Sequence, residues 1–250
     1  MNSFIGWIGG KKLLRKQIIN EFPQEKIERY VEVFVGAAWV LFYKDNHAAQ
    51  EIYNDYNSEL VNLFRCVKYH RKELQKELQY FLNSREMFQD FLAQYNLRGM
   101  TDIQRAARYF MIIKTSYGAD VRSFGCIKKN IENAVLYLEG IEKRLSKVII
   151  ENKDFEGIIK TYNKKDTLFY LDPPYYGTEK YYTIAFKQED HERLKTAVDS
   201  IKSKCVLSYN DSRYIRELYK DYNIIELDRN DSLNSRNGSR RYNELLIKNY

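Results

Sequence analysis

Asp172, Pro173, Pro174 and Tyr175 directly follow the run Thr167-Leu168-Phe169-Tyr170-Leu171. The Asp172 carboxylate and the Pro173 carbonyl are two acceptors side by side, and neither proline has an N–H to occupy them locally. An aromatic amine placed between them has both its N–H groups bonded. That favours a tetrahedral nitrogen and returns the lone pair otherwise delocalised into the ring. Tyr175 offers a face on which a flat substrate stacks. The prolines stiffen the loop, so the acceptors are set before the substrate arrives. This group suits attack by a weakly nucleophilic amine on a strong methyl donor, a sulfonium, with no metal and no covalent enzyme intermediate.

The elements that must position these residues are legible around them. Five consecutive apolar or β-branched residues before Asp172 predict a strand buried on both faces, as in a parallel sheet. The prolines end it, which puts the loop at the carboxyl end of a central strand, where open α/β sheets bind ligands. Near the amino terminus, Gly9-Gly10 allows a backbone to approach a ligand closely, and Lys11 opens a basic helical start that suits a carboxylate or phosphate. A strand over Tyr30–Val35 leads into Gly36-Ala37-Ala38 and a helical run, Trp39 to Tyr43. Small residues at such a turn let a cofactor lie against the backbone. A second strand, Glu51-Ile52-Tyr53, ends at Asn54-Asp55. Asp55 lies about 20 residues past the small-residue turn, where a Rossmann-type unit holds ribose hydroxyls. The same geometry fits an Asn-Asp turn, with Asn57-Ser58 capping the next helix.

From Glu59 to about Leu145 the strand-helix alternation gives way to helical periodicity, with apolar faces at Leu60, Leu63, Phe64 and Val67 and at Leu74, Leu78, Phe81 and Leu82. Within it, Lys114 to Asn130 is a glycine-punctuated loop with basic and aromatic residues interleaved, suited to phosphates and base edges. The alternation then resumes with strands at Val148–Ile150, Thr167–Leu171, Cys205–Tyr209, Ile224–Leu227 and Asn243–Ile247. Helices are expected at Phe155–Lys160 and Gln188–Ser203, and residues 229–241 read as a polar, basic hairpin connection.

The chain has 250 residues and a formal net charge of +7. Residues 58–146 hold 15 Lys and Arg against 10 Asp and Glu, whereas residues 1–57 hold 7 against 7. The excess points to a polyanion held by the middle of the chain. Cys66, Cys126 and Cys205, like His47, His70 and His191, are too scattered for a disulfide framework or a metal site. No run approaches the ~18 apolar residues of a membrane span and no signal-peptide pattern opens the chain, so a cytoplasmic location is expected.

In order, Trp7-Ile8-Gly9-Gly10-Lys11, Phe34-Val35-Gly36, Asn54-Asp55, the helical insertion, Asp154-Phe155, Asp172-Pro173-Pro174-Tyr175 and Glu244-Leu245-Leu246-Ile247-Lys248-Asn249-Tyr250 resemble the Dam-like DNA adenine-N6 methyltransferases. The resemblance covers nearly the whole chain. It implies S-adenosylmethionine as methyl donor, double-stranded DNA as substrate and an adenine flipped out of the duplex. It also implies a catalytic set of Asp172, Pro173, Pro174 and Tyr175. The implied cofactor set is Trp7, Gly9, Gly10, Lys11, Phe34, Gly36, Ala37, Ala38, Asn54, Asp55, Asp154 and Phe155. Arg122, Ser123, Lys128, Lys129, Arg236 and Arg240 are the candidates for DNA contact. Ala37 and Ala38 stand where the family commonly has glycine, and alanine serves there where φ is negative. Residues 116–124 differ from the family's Asn-Gly-Leu-Tyr-Arg type of segment, so no GATC target follows.

The expected fold is α/β: a Rossmann-like, mostly parallel sheet with helices on both faces and a C-terminal antiparallel strand. Residues 1–57 and 147–250 form the S-adenosylmethionine-binding catalytic domain, and residues 58–146 an inserted helical target-recognition domain. A cognate restriction endonuclease is a possible partner. Two other readings stay open: methylation of a protein glutamine or an RNA base on the same scaffold, and an inactive DNA-binding regulator. Asp rather than Asn at 172 and the basic insertion favour DNA over the first. The intact 172–175 set favours an enzyme over the second.

Overall fold

The computed structural model describes residues 1–95, 97, 99–126, 131–178, 186–229 and 242–250. The strands are β1 (Arg29–Glu32), β2 (Gln50–Asn54), β3 (Val148–Glu151), β4 (Thr167–Leu171), β5 (Lys204–Asn210), β6 (Asn223–Arg229) and β7 (Tyr242–Lys248). They form one sheet in the order β3-β2-β1-β4-β5-β7-β6. The pairs from β3 to β5 are parallel, and β7 runs antiparallel to both β5 and β6.

All five residues of β4 are buried, as its unbroken apolar run requires of a strand covered on both sides. Alternation sorts the side chains between two cores. Tyr30, Tyr53, Leu168, Tyr170 and Val206 enter one; Val31, Ile52, Phe169, Leu171, Cys205 and Leu207 enter the other. The second face is covered by α8 (Phe155–Tyr162), α9 (Gln188–Asp199) and α10 (Arg213–Leu218).

The first face takes α1 (Arg15–Asn20) and helices from between β2 and β3: α2 (Ser58–Tyr69), α3 (Arg71–Leu78), α4 (Arg85–Ala93), α5 (Asp102–Thr115), α6 (Ile131–Leu136) and α7 (Leu138–Leu145). Asn57 starts α2 by accepting from the N–H groups of Glu59 and Leu60. One apolar cluster runs from Tyr30 and Tyr53 of the sheet through Leu60 and Phe64 of α2 to Phe110 of α5 and Leu138 of α7. Among the described residues, no helix is long and apolar enough to cross a membrane.

Several boundaries differ from expectation. β1 stops at Glu32; Val33 N–H still bonds to Tyr170 O of β4, while Val35 N–H bonds to Asn54 O at the end of β2, on the other side, so the chain turns instead of extending the strand. The helix expected over Trp39–Tyr43 is one 3-10 turn, Leu41–Tyr43. The helix expected to reach Ser203 stops at Asp199, and α10, capped by Ser212, was not foreseen. Ala38 corrects the expectation of negative φ: its φ is +59°, a left-handed conformation costing alanine ~1–2 kcal/mol. Hydrogen bonds from Ala38 N to Val35 O and from Phe42 N to Ala38 O hold it there. The 229–241 connection lies, from residue 230 on, outside the described residues, as do Lys128, Lys129, Arg236 and Arg240.

Candidate active site

β1 and β4 are neighbours, yet the chain leaves them toward opposite edges of the sheet, so a crevice opens beyond their carboxyl ends. A cavity of about 270 Å³ lies there. Trp7, Gly9, Gly10, Lys11, Phe34, Gly36, Ala37, Asp55, Asp154, Phe155, Asp172 and Pro174 all line it. Residues expected from five separate stretches of sequence therefore meet at one place. Ala38 and Asn54 sit behind the wall, both buried. The Asn54 amide donates to Val33 O (2.9 Å) and Lys153 O (3.1 Å) and accepts from Lys153 N (2.9 Å), which ties the loops after β1 and β3 together.

At the β4 end, Lys11 is 5% exposed and its Nζ lies 2.8 Å from Asp172 Oδ1, 2.8 Å from Gly9 O and 3.6 Å from Glu244 Oε2. The same ammonium is 4.6 Å from the centroid of the Tyr175 ring. Tyr175 donates its hydroxyl to Glu244 Oε2 at 2.6 Å. Burial raises the Asp172 pKa to about 6, with Lys11 pulling it down and Glu244 pushing it up. The loop after Tyr175 is fixed too: Thr178 N–H bonds to Tyr175 O, Asn210 Nδ2 donates to Tyr176 O at 3.0 Å, and Tyr176 stacks on Tyr214 at 4.4 Å.

At the β1 end, Gly36 has φ +52°, and a Cβ there would lie 2.7 Å from Trp7 Cδ1. Gly36 N–H donates to Asp55 Oδ2 and Asn57 N–H to Asp55 Oδ1, both at 2.9 Å. Asp55 thus holds the glycine turn as well as lining the cavity. Burial raises its pKa, against the backbone bonds from Asn57 and Gly36. Asp154 caps α8 through Glu156 N–H. Phe155 packs 5.9 Å from Phe34 and 6.0 Å from Phe186, and Arg193 lies 4.8 Å from the Phe155 ring. This aromatic corner suits a flat, electron-rich base.

Arg122 and Ser123 are exposed on the loop after α5, and their backbone N–H groups both bond to Asp120 Oδ1. A bridge between Ser116 and Phe124 closes that loop, and its Ala119, Asp120 and Val121 form part of the cavity wall. Ala119 and Val121 have φ near +60° (60° and 59°), a strained conformation for a β-branched residue.

Sequence reasoning missed Glu32, Glu244, Phe186 and Arg193. Glu32 is 2% exposed, lines the cavity and accepts the Tyr30 hydroxyl at 2.8 Å. Burial raises its pKa to about 8, reinforced by the Asp172 charge and opposed by the Tyr30 bond. An ionisable residue within an apolar strand was the available signal. For Glu244 it was a carboxylate inside a run otherwise destined for the core.

With an Asp-Pro-Pro-Tyr loop at the end of the central strand and a glycine turn at the next, the chain belongs to the D12 class N6 adenine-specific DNA methyltransferases, whose family model matches residues 7–233. It is an S-adenosylmethionine-dependent, site-specific DNA adenine-N6 methyltransferase. It is 27% identical to the Type II methyltransferase M1.LlaDCHI of Lactococcus lactis subsp. cremoris, over 100% of this chain and 96% of that one. Identity to the Type II methyltransferase M.CviBI of Paramecium bursaria Chlorella virus NC1A is 26%, over 100% of both. Among solved structures, precorrin 8W decarboxylase from Methanobacterium thermoautotrophicum superposes with a TM-score of 0.44 at 12% identity, over 95% of this chain and 89% of that one.

The lining of the cavity suits that cofactor: the aromatic corner would take an adenine, Asp55 would take ribose hydroxyls, and buried Glu32 beside the turn would face positive charge. A bound cation favours the ionised form of Glu32. Cofactor affinity is therefore expected to rise as the pH approaches about 8, with release of a proton from Glu32. Without cofactor the sign is reversed for stability. The unfolded chain gives up the Glu32 proton first, so rising pH toward about 8 destabilises the fold. Calorimetry in buffers of different ionisation enthalpy checks this. Affinity that is flat from pH 6 to 8, with no proton released, removes Glu32 from the cofactor site.

Proposed function

We propose that Asp172, Pro173 and Tyr175 act on an adenine flipped out of duplex DNA, and that residues 58–146 form the region that finds its site. The observation carrying this reading is the position of Asp172. It ends the central strand, lines the same cavity as the glycine turn, and is held through Lys11 at one oxygen. A base stacked in a duplex cannot enter such a crevice, so extrusion is required. Asp172 and the Pro173 carbonyl accept the two amino hydrogens and turn the nitrogen lone pair toward the donor, while Tyr175 holds the ring. Pro174 keeps the loop stiff. The bound cofactor supplies an electrophilic methyl group, and the proton displaced from nitrogen passes to Asp172 or to water.

The loop bearing Arg122 and Ser123 supports the role of the helical region, because it presents exposed polar side chains while its tip forms cavity wall. Lys128, Lys129, Arg236 and Arg240 extend the proposed phosphate contacts. We place the enzyme in the cytoplasm beside a cognate restriction endonuclease, a pairing suggested by the Type II names of the relatives.

Sequencing of modified bases first identifies the methylated position. A duplex carrying 2-aminopurine there is expected to brighten severalfold on binding, because the fluorophore leaves the stack. Substituting Arg122, Lys128 and Lys129 together by alanine is expected to weaken that binding and flatten the plot of log K against log[salt] by up to about 3 in slope. No brightening with the unaltered protein refutes flipping. An unchanged affinity and slope in the triple variant removes this loop from the DNA contact.

A further inference from the structure

β7 is antiparallel to its neighbours, so its first residues reach the carboxyl end of the sheet, where the chemistry is. Glu244 pairs across the ladder with Asn210 of β5. Asn210 Nδ2 holds Tyr176 O at 3.0 Å, and Glu244 Oε2 accepts the Tyr175 hydroxyl at 2.6 Å. One rung of the sheet therefore fixes two successive residues of the loop that carries Asp172. Glu244 is 4% exposed and also stands 3.6 Å from Lys11 Nζ, the ammonium that lies 2.8 Å from Asp172.

We propose that Glu244 is a positioning residue for methyl transfer: it sets the Tyr175 ring through its hydroxyl, and it shares Lys11 with Asp172 so that the lysine does not quench the Asp172 acceptor. The inference rests on Asp172 and Tyr175 being the residues that meet the adenine. A lysine with a single buried carboxylate partner gives its full attraction to that partner and weakens it as an acceptor. A second carboxylate on the far side draws the ammonium back. The charge also explains why a carboxylate stands here, when a neutral acceptor would serve the tyrosine alone.

The titratable groups facing Asp172 come from several elements: Lys11 before α1 and Glu244 on β7 shift it, and its own charge is felt by Glu32 on β1, Tyr170 on β4, Tyr175 on the loop and Tyr209 on β5. Of these, Lys11 lowers the Asp172 pKa and Glu244 raises it. Removing the Glu244 charge lowers it further, by losing the repulsion and by leaving Lys11 to Asp172 alone.

In single-turnover methylation with saturating cofactor, Glu244→Gln is expected to slow transfer about 10²-fold. The acid limb of its rate profile is expected to move to lower pH, and cofactor Kd to stay within about threefold. Tyr175→Phe removes the hydroxyl from the other side. The double variant Glu244→Ala/Tyr175→Phe is expected to lose less than the product of the two single losses, because alanine and phenylalanine each remove the bond that the two groups share. An acid limb that stays in place, or losses that multiply, overturns the inference. Asp172→Asn measured alongside separates the two levels: if it still methylates, the reading of Asp172 falls. If it is inactive while Glu244→Gln keeps the unaltered rate and acid limb, only the role of Glu244 falls. Should Glu244→Gln not fold, Tyr175→Phe carries the test, and a rate equal to that of the unaltered enzyme overturns it.

Discussion

Asp172→Ala is expected to lower the methyl-transfer rate by at least about 10²–10³-fold, the usual cost of deleting one preorganised hydrogen-bond partner of a transition state. Cofactor binding is expected to survive. Lys11 keeps Gly9 O and Glu244 as partners when Asp172 is gone, so no buried ammonium is abandoned. Glu32 loses a nearby negative charge that raises its pKa, so it ionises more readily and holds a cationic cofactor at least as well at pH 7. The substitution thus separates affinity from chemistry, which a merely destabilised protein does not do. In the unaltered enzyme the rate is expected to fall as pH drops through about 6, where the Asp172 carboxylate takes up a proton and ceases to be a full acceptor. Equilibrium binding of cofactor together with single-turnover methylation gives both quantities. Transfer within tenfold of the unaltered rate removes Asp172 from the mechanism.

How much of this was legible in the sequence depends on how local the cause was. β4 and its proline stop could be read directly, because five buried residues in a row and two residues without N–H groups leave little choice. Spacing linked the Gly36 turn to Asp55, but the meeting of all five stretches, those of Trp7, Gly36, Asp55, Asp154 and Asp172, in one cavity was legible only through a family resemblance. The place of Glu244 and Glu32 in the site was not legible for a different reason. Each sits in a strand whose apolar neighbours announce burial, and only the packed fold shows what a buried carboxylate faces. The resemblance put Asn54 in the cofactor set, whereas its amide is taken up by Val33 and Lys153. The Ala38 expectation failed because φ is set by the bonds from Ala38 to Val35 and from Phe42 to Ala38, which composition does not encode.

Gly36→Val is expected to abolish useful cofactor binding, raising Kd by more than about 30-fold, equivalent to ~2 kcal/mol. Two independent costs meet at this residue. Its φ of +52° is disfavoured for any side chain, most of all a β-branched one. A Cβ there would also stand 2.7 Å from Cδ1 and 2.8 Å from Nε1 of Trp7, so the indole must leave the cavity wall or the turn must open. Opening the turn breaks the bond from Gly36 N–H to Asp55, which releases the carboxylate proposed for the ribose. Either relaxation damages the cofactor site, whereas strain alone would only lower stability. Ala38→Gly, two residues on, is the matched control: it relieves a φ of +59° in a buried residue behind the wall, so cofactor Kd is expected to change by less than about threefold. Titration calorimetry and thermal melts on both variants distinguish the two effects. A Gly36→Val protein that melts lower yet binds cofactor with unchanged affinity refutes the assignment of this turn to the cofactor. It would mean that Trp7 and Asp55 are placed for the fold alone, and that the donor's ribose is held elsewhere along the crevice.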